Sequence, residues 1–336
     1  MTASRITSTV DFEKNGRQTG FLRLLHSVHE SAYGWIPIPV VCIKNGKGPT
    51  VLLNSGNHGD EYEGQVTLMK LIRELKPEHV QGRIIINPAS NFPAAMAGRR
   101  TSPIDGGNLN RSFPGDPNGG VTKQIAHFID TAILPMCDYA FDVHSGGSSL
   151  MYVPSSLGTL VPGENKRNKK LLELLHEFGA PIAYVSNRPM GADQTLGASA
   201  ARRGAIAVGT EMGGSGTVTP AALKICEAGV KRMLKHIGVL PKVKVAPSPG
   251  TRLMQVGGPD YYVYTPEFGG VFEPLVELGD TVKKGQPAAA IHFSHTPWRK
   301  PEIVRFERDG VVLCKRIPGR TERGDCLFHL GTDYKA

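Results

Sequence analysis

Residues 49–75 read PTVLLNSGNHGDEYEGQVTLMKLIREL. A short apolar run, PTVLLNSG, leads into a polar, glycine-bearing loop, and beyond it Val66, Met69, Ile72 and Leu75 recur every three residues. The stretch therefore reads as strand, loop and helix. Working outward, the same alternation appears on both sides. WIPIPVVCI (35–43) precedes it as a strand, and RIIINPAS (83–90) follows. Next come a helix carrying Ile125, Phe128, Ile129 and Ala132, the strand DYAFDVHS, and a helix carrying Leu171, Leu174, Leu175 and Phe178. The strands PIAYVS and AIAVGTEMGG and a last helix from about Thr219 to His236 complete the series. Strands interleaved with helices of this length imply an α/β fold, with a mixed, mainly parallel sheet covered by helices on both faces.

The pattern changes at IGVLPKVKVAPSPG, where Pro241, Pro247 and Pro249 interrupt any helix. Two domains are expected: residues 1–245, including N-terminal strands, and residues 250–336, all β. A length of 336 residues agrees with two domains at roughly 150 residues each. The segment YYVYTPEFGGVFEPLVELGDTVKKGQPAAAIHF resembles lipoyl or biotinyl hammerhead domains in its strands and turns. No Met-Lys-Met occurs in it, so it reads as a small β-barrel or sandwich packed on the first domain and not as a carrier.

Composition narrows the function classes. Lys+Arg 39 against Asp+Glu 30 gives a net charge of +9, but the charge is dispersed. Its densest run, NKRNKK (165–170), opens a helical pattern and reads as a solvated face, which argues against nucleic acid. The five cysteines are odd in number, widely spaced and never C-x-x-C, which excludes a disulfide framework or zinc knuckle and favours a reducing compartment. No apolar targeting segment opens the chain, no run of 18 apolar residues appears, and a cytoplasmic enzyme is expected without a membrane partner. The sequence is silent on oligomeric state, leaving a homo-oligomer open.

Four islands carry the chemistry. The first, Leu53 to Glu63, places His58 and Glu61 in an H-x-x-E arrangement where a strand gives way to a helix. An imidazole nitrogen and a carboxylate oxygen suit Zn²⁺, with a third ligand needed from elsewhere. The second, Asp142-Val-His144-Ser-Gly-Gly147, supplies that third ligand in His144, 83 residues beyond Glu61. Period-2 alternation puts Asp142 on the same side as His144, where its carboxylate can orient the ring. In the third island, Glu211 ends the run AIAVGT, where a carboxylate beside an activated water can take and return a proton. The glycines after it do not make a dinucleotide fingerprint, because Gly214-Ser-Gly216 lacks a third glycine three residues on. The fourth, Gly98 to Gly115, is a loop of Gly, Pro, Asn and Arg, whose arginines can polarise a carbonyl or fork a carboxylate.

Together and in this order, H-G-D-E, N-L-N-R-S-F-P-G, D-V-H-S-G-G and T-E-M-G-G resemble the succinylglutamate desuccinylase/aspartoacylase family, a branch of the zinc carboxypeptidase-like fold. The resemblance runs from about residue 35 to the end. It implies one Zn²⁺ per chain on His58, Glu61 and His144, with Glu211 as catalytic base. It implies that Asn110 and Arg111 contact the substrate carboxylate and that Arg100 polarises the carbonyl, with Arg99 as its adjacent competitor. It further implies that the C-terminal β-domain narrows access to the zinc and admits small N-acyl amino acids. Within the family, the motifs look closest to the N-α-acetyl-L-2,4-diaminobutyrate deacetylases of ectoine breakdown. The alternatives are a desuccinylase, an N-acetylaspartate-type amidohydrolase, or a non-catalytic binding protein on the same scaffold. A succinyl group needs a further cation, for which Arg188, Arg202 and Arg203 are the candidates; His292 and His295 read as structural.

Overall fold

The computed structural model describes residues 4–187 and 193–335. The chain opens with three antiparallel strands, β1 (Ile6–Ser8), β2 (Gly16–Leu25) and β3 (Trp35–Asn45). The α/β series follows as β4 (Thr50–Ser55), α1 (Tyr62–Glu74), β5 (Gly82–Asn87), α2 (Phe92–Ala97), α3 (Val121–Phe128) and β6 (Tyr139–Val143). It continues with β7 (Leu150–Tyr152), β8 (Ser155–Thr159), α4 (Asn165–Phe178), β9 (Ile182–Ser186), α5 (Leu196–Arg202), β10 (Ile206–Glu211) and α6 (Pro220–His236). Nine strands complete the chain: β11 (Arg252–Gln255), β12 (Tyr262–Tyr264), β13 (Gly270–Pro274), β14 (Thr281–Val282), β15 (Pro287–His292), β16 (Glu302–Arg305), β17 (Gly310–Arg316), β18 (Arg320–Thr321) and β19 (Cys326–Asp333).

The main sheet runs β1-β2-β3-β5-β4-β6-β10-β8-β9-β11-β19-β17-β14. Its centre, β5-β4-β6-β10, is parallel, so the C-terminal ends of β4, β6 and β10 open on one edge. Direction reverses at β8, and β8, β9 and β11 run parallel to one another. Central strands buried on both faces need apolar residues at every position, and β4 shows why. Val51 and Leu53 join a core with α1, α4 and α6, while Leu52 joins a second core with α3 and α5. This is the mixed α/β architecture expected.

The buried face of α1 differs from the three-residue series in the sequence. Thr67, Leu68 and Leu71 are buried, as is Leu75 at its C-cap, while Met69 is 41% exposed. Steps of three on a 3.6-residue helix drift by about 60° each, so Val66, Met69, Ile72 and Leu75 spread over half the circumference. Thr67, Leu68, Leu71 and Leu75 fall within about 100°. Gly64 sets how close α1 comes to the sheet, since a Cβ there would lie 2.6 Å from the Val143 carbonyl oxygen.

Residues 241–250 form no helix or strand, yet hydrogen bonding is continuous across them. Strand β11 pairs parallel with β9 and antiparallel with β19, and β7 pairs with β17. Ile182 and Tyr184 share a third core with Met254, Phe306 and Phe328. Strands β16-β15-β13-β18 form a separate antiparallel sheet. Among the described residues, no helix is long and apolar enough to cross a membrane.

Candidate metal centre and active site

The loops after β4 and β6 and the last residue of β10 bring His58, Glu61, His144 and Glu211 to one edge. Thr210 at the end of β10 ties two of these strand ends together, its hydroxyl lying 3.0 Å from both the backbone nitrogen and the carbonyl oxygen of His144. The loop beyond His144 is anchored in turn, because Asp60 Oδ2 accepts from the backbone N–H and the hydroxyl of Ser148, both at 2.8 Å.

Ligand atoms of His58, Glu61 and His144, all three residues buried, lie within 4.8 Å of one another. Glu61 bridges the two rings: Oε1 is 2.6 Å from His58 Nδ1 and Oε2 is 2.6 Å from His144 Nδ1. The opposite ring nitrogens face acceptors, His58 Nε2 to Asn108 Oδ1 at 3.0 Å and His144 Nε2 to Asp142 Oδ2 at 2.8 Å. An Nε2–H donated outward leaves each Nδ1 lone pair turned inward, the tautomer a cation requires. Asp142 is held by Asn54 at 2.8 Å and by Asn57 at 2.9 and 3.0 Å. Burial opposes a positive His144, but the Asp142 and Glu61 carboxylates outweigh it and raise its pKa well above the ordinary value. The same two carboxylates would favour a cation among these side chains, and two nitrogens with one carboxylate suit a metal site that keeps a position open.

Glu211 stands beside this cluster with its Oε2 buried and without a hydrogen-bond partner among the described residues. Burial and the nearby Glu61 charge raise its pKa well above the carboxylate range, against the pull of His144 and Arg100. Of the two adjacent arginines, the fold brings Arg100 to the site. Its Nη1 is 3.3 Å from His58 Nδ1 and 3.5 Å from Glu61 Oε1. Arg99 contributes only backbone, accepting from the Gly59 N–H at 2.8 Å. Asn110 and Arg111 sit in a 3₁₀ turn, Leu109–Arg111. Asn110 spans two elements, with Nδ2 3.1 Å from His144 Nε2 and Oδ1 accepting from the Leu196 N–H at 2.9 Å. Arg111 donates to the Asn110 carbonyl at 2.8 Å, and burial followed by the neighbouring Arg100 charge lowers its pKa.

These residues line a cavity of about 510 Å³, the size of a small-molecule site. In the strand register Asp142, Gly209, Leu157 and Tyr184 form one row across β6, β10, β8 and β9, and Glu211 lies two residues along from Gly209 on the same face. Arg167, Asp193 and Arg202 also line it. Among the described residues, none of those lining it comes from 250–335. That segment supports the wall from behind, where the buried His329 ring packs against Tyr152 and Tyr184. His292 pairs with Glu273 at 2.6 Å on an exposed strand and is not part of the site. Arg203 is taken up by Asp130, and Arg188 lies outside the described residues. Sequence reasoning missed Asn54, Asn57 and Asn108, whose only signal was their place inside the first and fourth islands. It also missed Arg167, assigned to solvent with its charged run.

A family model for the succinylglutamate desuccinylase/aspartoacylase catalytic domain matches residues 47–237. The chain belongs to this family. A curated relative named N-alpha-acetyl-L-2,4-diaminobutyric acid deacetylase, from Halomonas elongata, is 43% identical over 324 residues, covering 96% of this chain and 94% of its own. A succinylglutamate desuccinylase/aspartoacylase from Rhodobacter sphaeroides superposes with a TM-score of 0.92 at 39% identity, covering 99% of this chain and all of its own. The product-bound ectoine utilization protein EutE (DoeB) from Ruegeria pomeroyi gives 0.93 at 36% identity, covering 98% of this chain and all of its own. As a member of the desuccinylase/aspartoacylase family, the chain is an enzyme, a deacylase that hydrolyses the amide of a small acyl amino acid.

Proposed function

We propose that the chain is a cytoplasmic, zinc-dependent deacetylase. It converts N-α-acetyl-L-2,4-diaminobutyrate to L-2,4-diaminobutyrate and acetate in ectoine degradation. The observation that carries this reading is the convergence of His58, Glu61 and His144 beside an unpartnered Glu211, in a chain 43% identical to a protein named for that deacetylation. Five cysteines without a disulfide among them support a reducing compartment.

His58, Glu61 and His144 would hold Zn²⁺, which when bound would supply a Lewis acid for the water and the amide carbonyl. Asp142 and Asn108 keep the two rings in the ligating tautomer. Glu211 accepts a proton from the attacking water and returns it to the amine nitrogen as the C–N bond breaks and acetate forms. Arg100 donates to the carbonyl oxygen as negative charge builds there. Arg111 receives the substrate's α-carboxylate, with Asn110 bracing the loop that presents it. A second reading, an N-succinyl deacylase, draws support from Arg167, which lines the cavity and whose one side-chain hydrogen bond among the described residues is a 3.4 Å contact to the Thr159 carbonyl.

The test is a turnover screen of N-acetyl and N-succinyl derivatives of diaminobutyrate, aspartate and glutamate with zinc-loaded enzyme. The expected outcome is a kcat/KM for N-α-acetyl-L-2,4-diaminobutyrate at least about tenfold above the others, with Glu211→Gln lowering kcat by roughly 10²–10⁴ at unchanged zinc content. A preference for an N-succinyl substrate would replace the first reading with the second.

A further inference from the structure

Among the described residues, four carboxylates line the cavity: Glu61, Asp142, Glu211 and Asp193. The first three are committed. Glu61 lies between the two imidazoles, Asp142 is held by His144, Asn54 and Asn57, and Glu211 stands beside the cluster. Asp193 is exposed at the cavity wall, and its carboxylate has no hydrogen bond or ion pair among the described residues. The lysines and arginines on the wall among the described residues are all arginines: Arg100, Arg111, Arg167 and Arg202.

The position of Asp193 is built. Its φ of 56° is a left-handed conformation that non-glycine residues adopt uncommonly, aspartate and asparagine more readily than most. Arg202 Nη1 donates to its carbonyl oxygen at 2.7 Å. The residues that follow are tied to the loop presenting Arg111. The Phe113 N–H donates to the Gln194 carbonyl at 3.2 Å, and the Leu196 N–H donates to Asn110 Oδ1 at 2.9 Å. Thr195 then caps α5 by accepting from the Ala198 N–H at 3.1 Å. The free carboxylate and the arginine proposed for the substrate carboxylate are thus carried on two loops hydrogen-bonded to each other.

We infer that Asp193 determines specificity for a cationic amino-acid side chain, pairing with its ammonium group while Arg111 holds the α-carboxylate. The inference rests on the deacylase reading above and adds to it the residue that selects the side chain's charge. An anionic chain, as in aspartate or glutamate, meets a like charge at this position, and a neutral chain gains nothing from it.

Asp193→Asn keeps the size and the tolerance of the left-handed backbone and removes only the charge. The substrates are N-α-acetyl-L-2,4-diaminobutyrate and its chain-neutral counterpart N-α-acetyl-L-2-aminobutyrate. The variant is expected to lower kcat/KM for the cationic substrate about 10- to 100-fold, chiefly through KM, while the neutral substrate changes less than about twofold. Calorimetric binding of L-2,4-diaminobutyrate should weaken by a similar factor, with L-2-aminobutyrate unaffected. An equal fall for both substrates, or no fall for the cationic one, overturns the inference and leaves the deacetylase reading standing. A wild-type enzyme that does not hydrolyse the cationic substrate overturns both.

Discussion

His144 and His329 are both buried, 9% and 1% exposed, the first directly after the end of β6 and the second within β19, yet their surroundings are opposite. His144 has a carboxylate on each ring nitrogen, Glu61 at 2.6 Å and Asp142 at 2.8 Å. His329 has aromatic rings instead. Tyr262 stacks on it at 4.4 Å with planes 2° apart, Tyr152 and Tyr184 meet it edge-on, and neither ring nitrogen has a partner among the described residues. Burial alone pushes the His329 pKa down to about 3, whereas the two anions overcome the same burial penalty at His144 and push its pKa up. Burial therefore decides the charge of a histidine only where no ion faces it. The same contrast separates a ring built to face a cation from one built to back a wall.

The widest separation between the two is expected from His144→Ala and His329→Phe measured side by side. Loss of His144 should abolish stoichiometric zinc and lower turnover by at least about 10³-fold. His329→Phe should retain zinc and stay within roughly threefold of wild-type turnover, its ring replacing one with no hydrogen bonds to lose. Metal analysis and kcat check both, and zinc loss in His329→Phe would break the comparison. A smaller effect sharpens the His144 side. Asp142→Asn removes the charge that orients Nε2 and should weaken zinc binding about 10- to 100-fold, read by competition with a chelator.

An effect of a different kind, on folding and not on zinc, is expected in acid. With a folded-state pKa of about 3 against about 6.5 when unfolded, His329 has no influence on stability above pH 6.5. As the pH falls from there toward 3, the unfolded chain binds a proton that the folded one refuses. Stability then drops by about 1.4 kcal/mol per pH unit from this group. Urea unfolding at pH 7, 6, 5 and 4 should show a shallower decline for His329→Phe than for wild type, and identical slopes would show that His329 does not titrate in this way.

Much of the fold was legible because its central strands are continuous apolar runs. Strands β4, β5, β6, β9 and β10 and the buried Leu171, Leu174, Leu175 and Phe178 of α4 fall where the pattern put them. Strand β8, Ser-Ser-Leu-Gly-Thr, was not legible, since its buried Ser155 and Ser156 carry no apolar period. The candidate metal cluster was legible because His58 and Glu61 are three residues apart after one strand and His144 follows another. Asn108 was not, because an asparagine in a turn looks the same whether it holds a histidine or solvent. Arg167 was hidden by its lysine neighbours, which share its sequence run but not its place on the cavity wall.

Sequence alone determined the α/β alternation and placed His58, Glu61, His144 and Glu211 at or just after strand ends, because strand period is a local property. Tertiary structure decided which nitrogen of each imidazole faces inward, that Arg100 and not Arg99 reaches the site, and that Asp193 stands at the wall. Each of these depends on hydrogen-bond partners distant in sequence, as His58 depends on Asn108 and Asn110 on Leu196. Such partners become neighbours only when packing closes the loops over the sheet, so no local pattern records them.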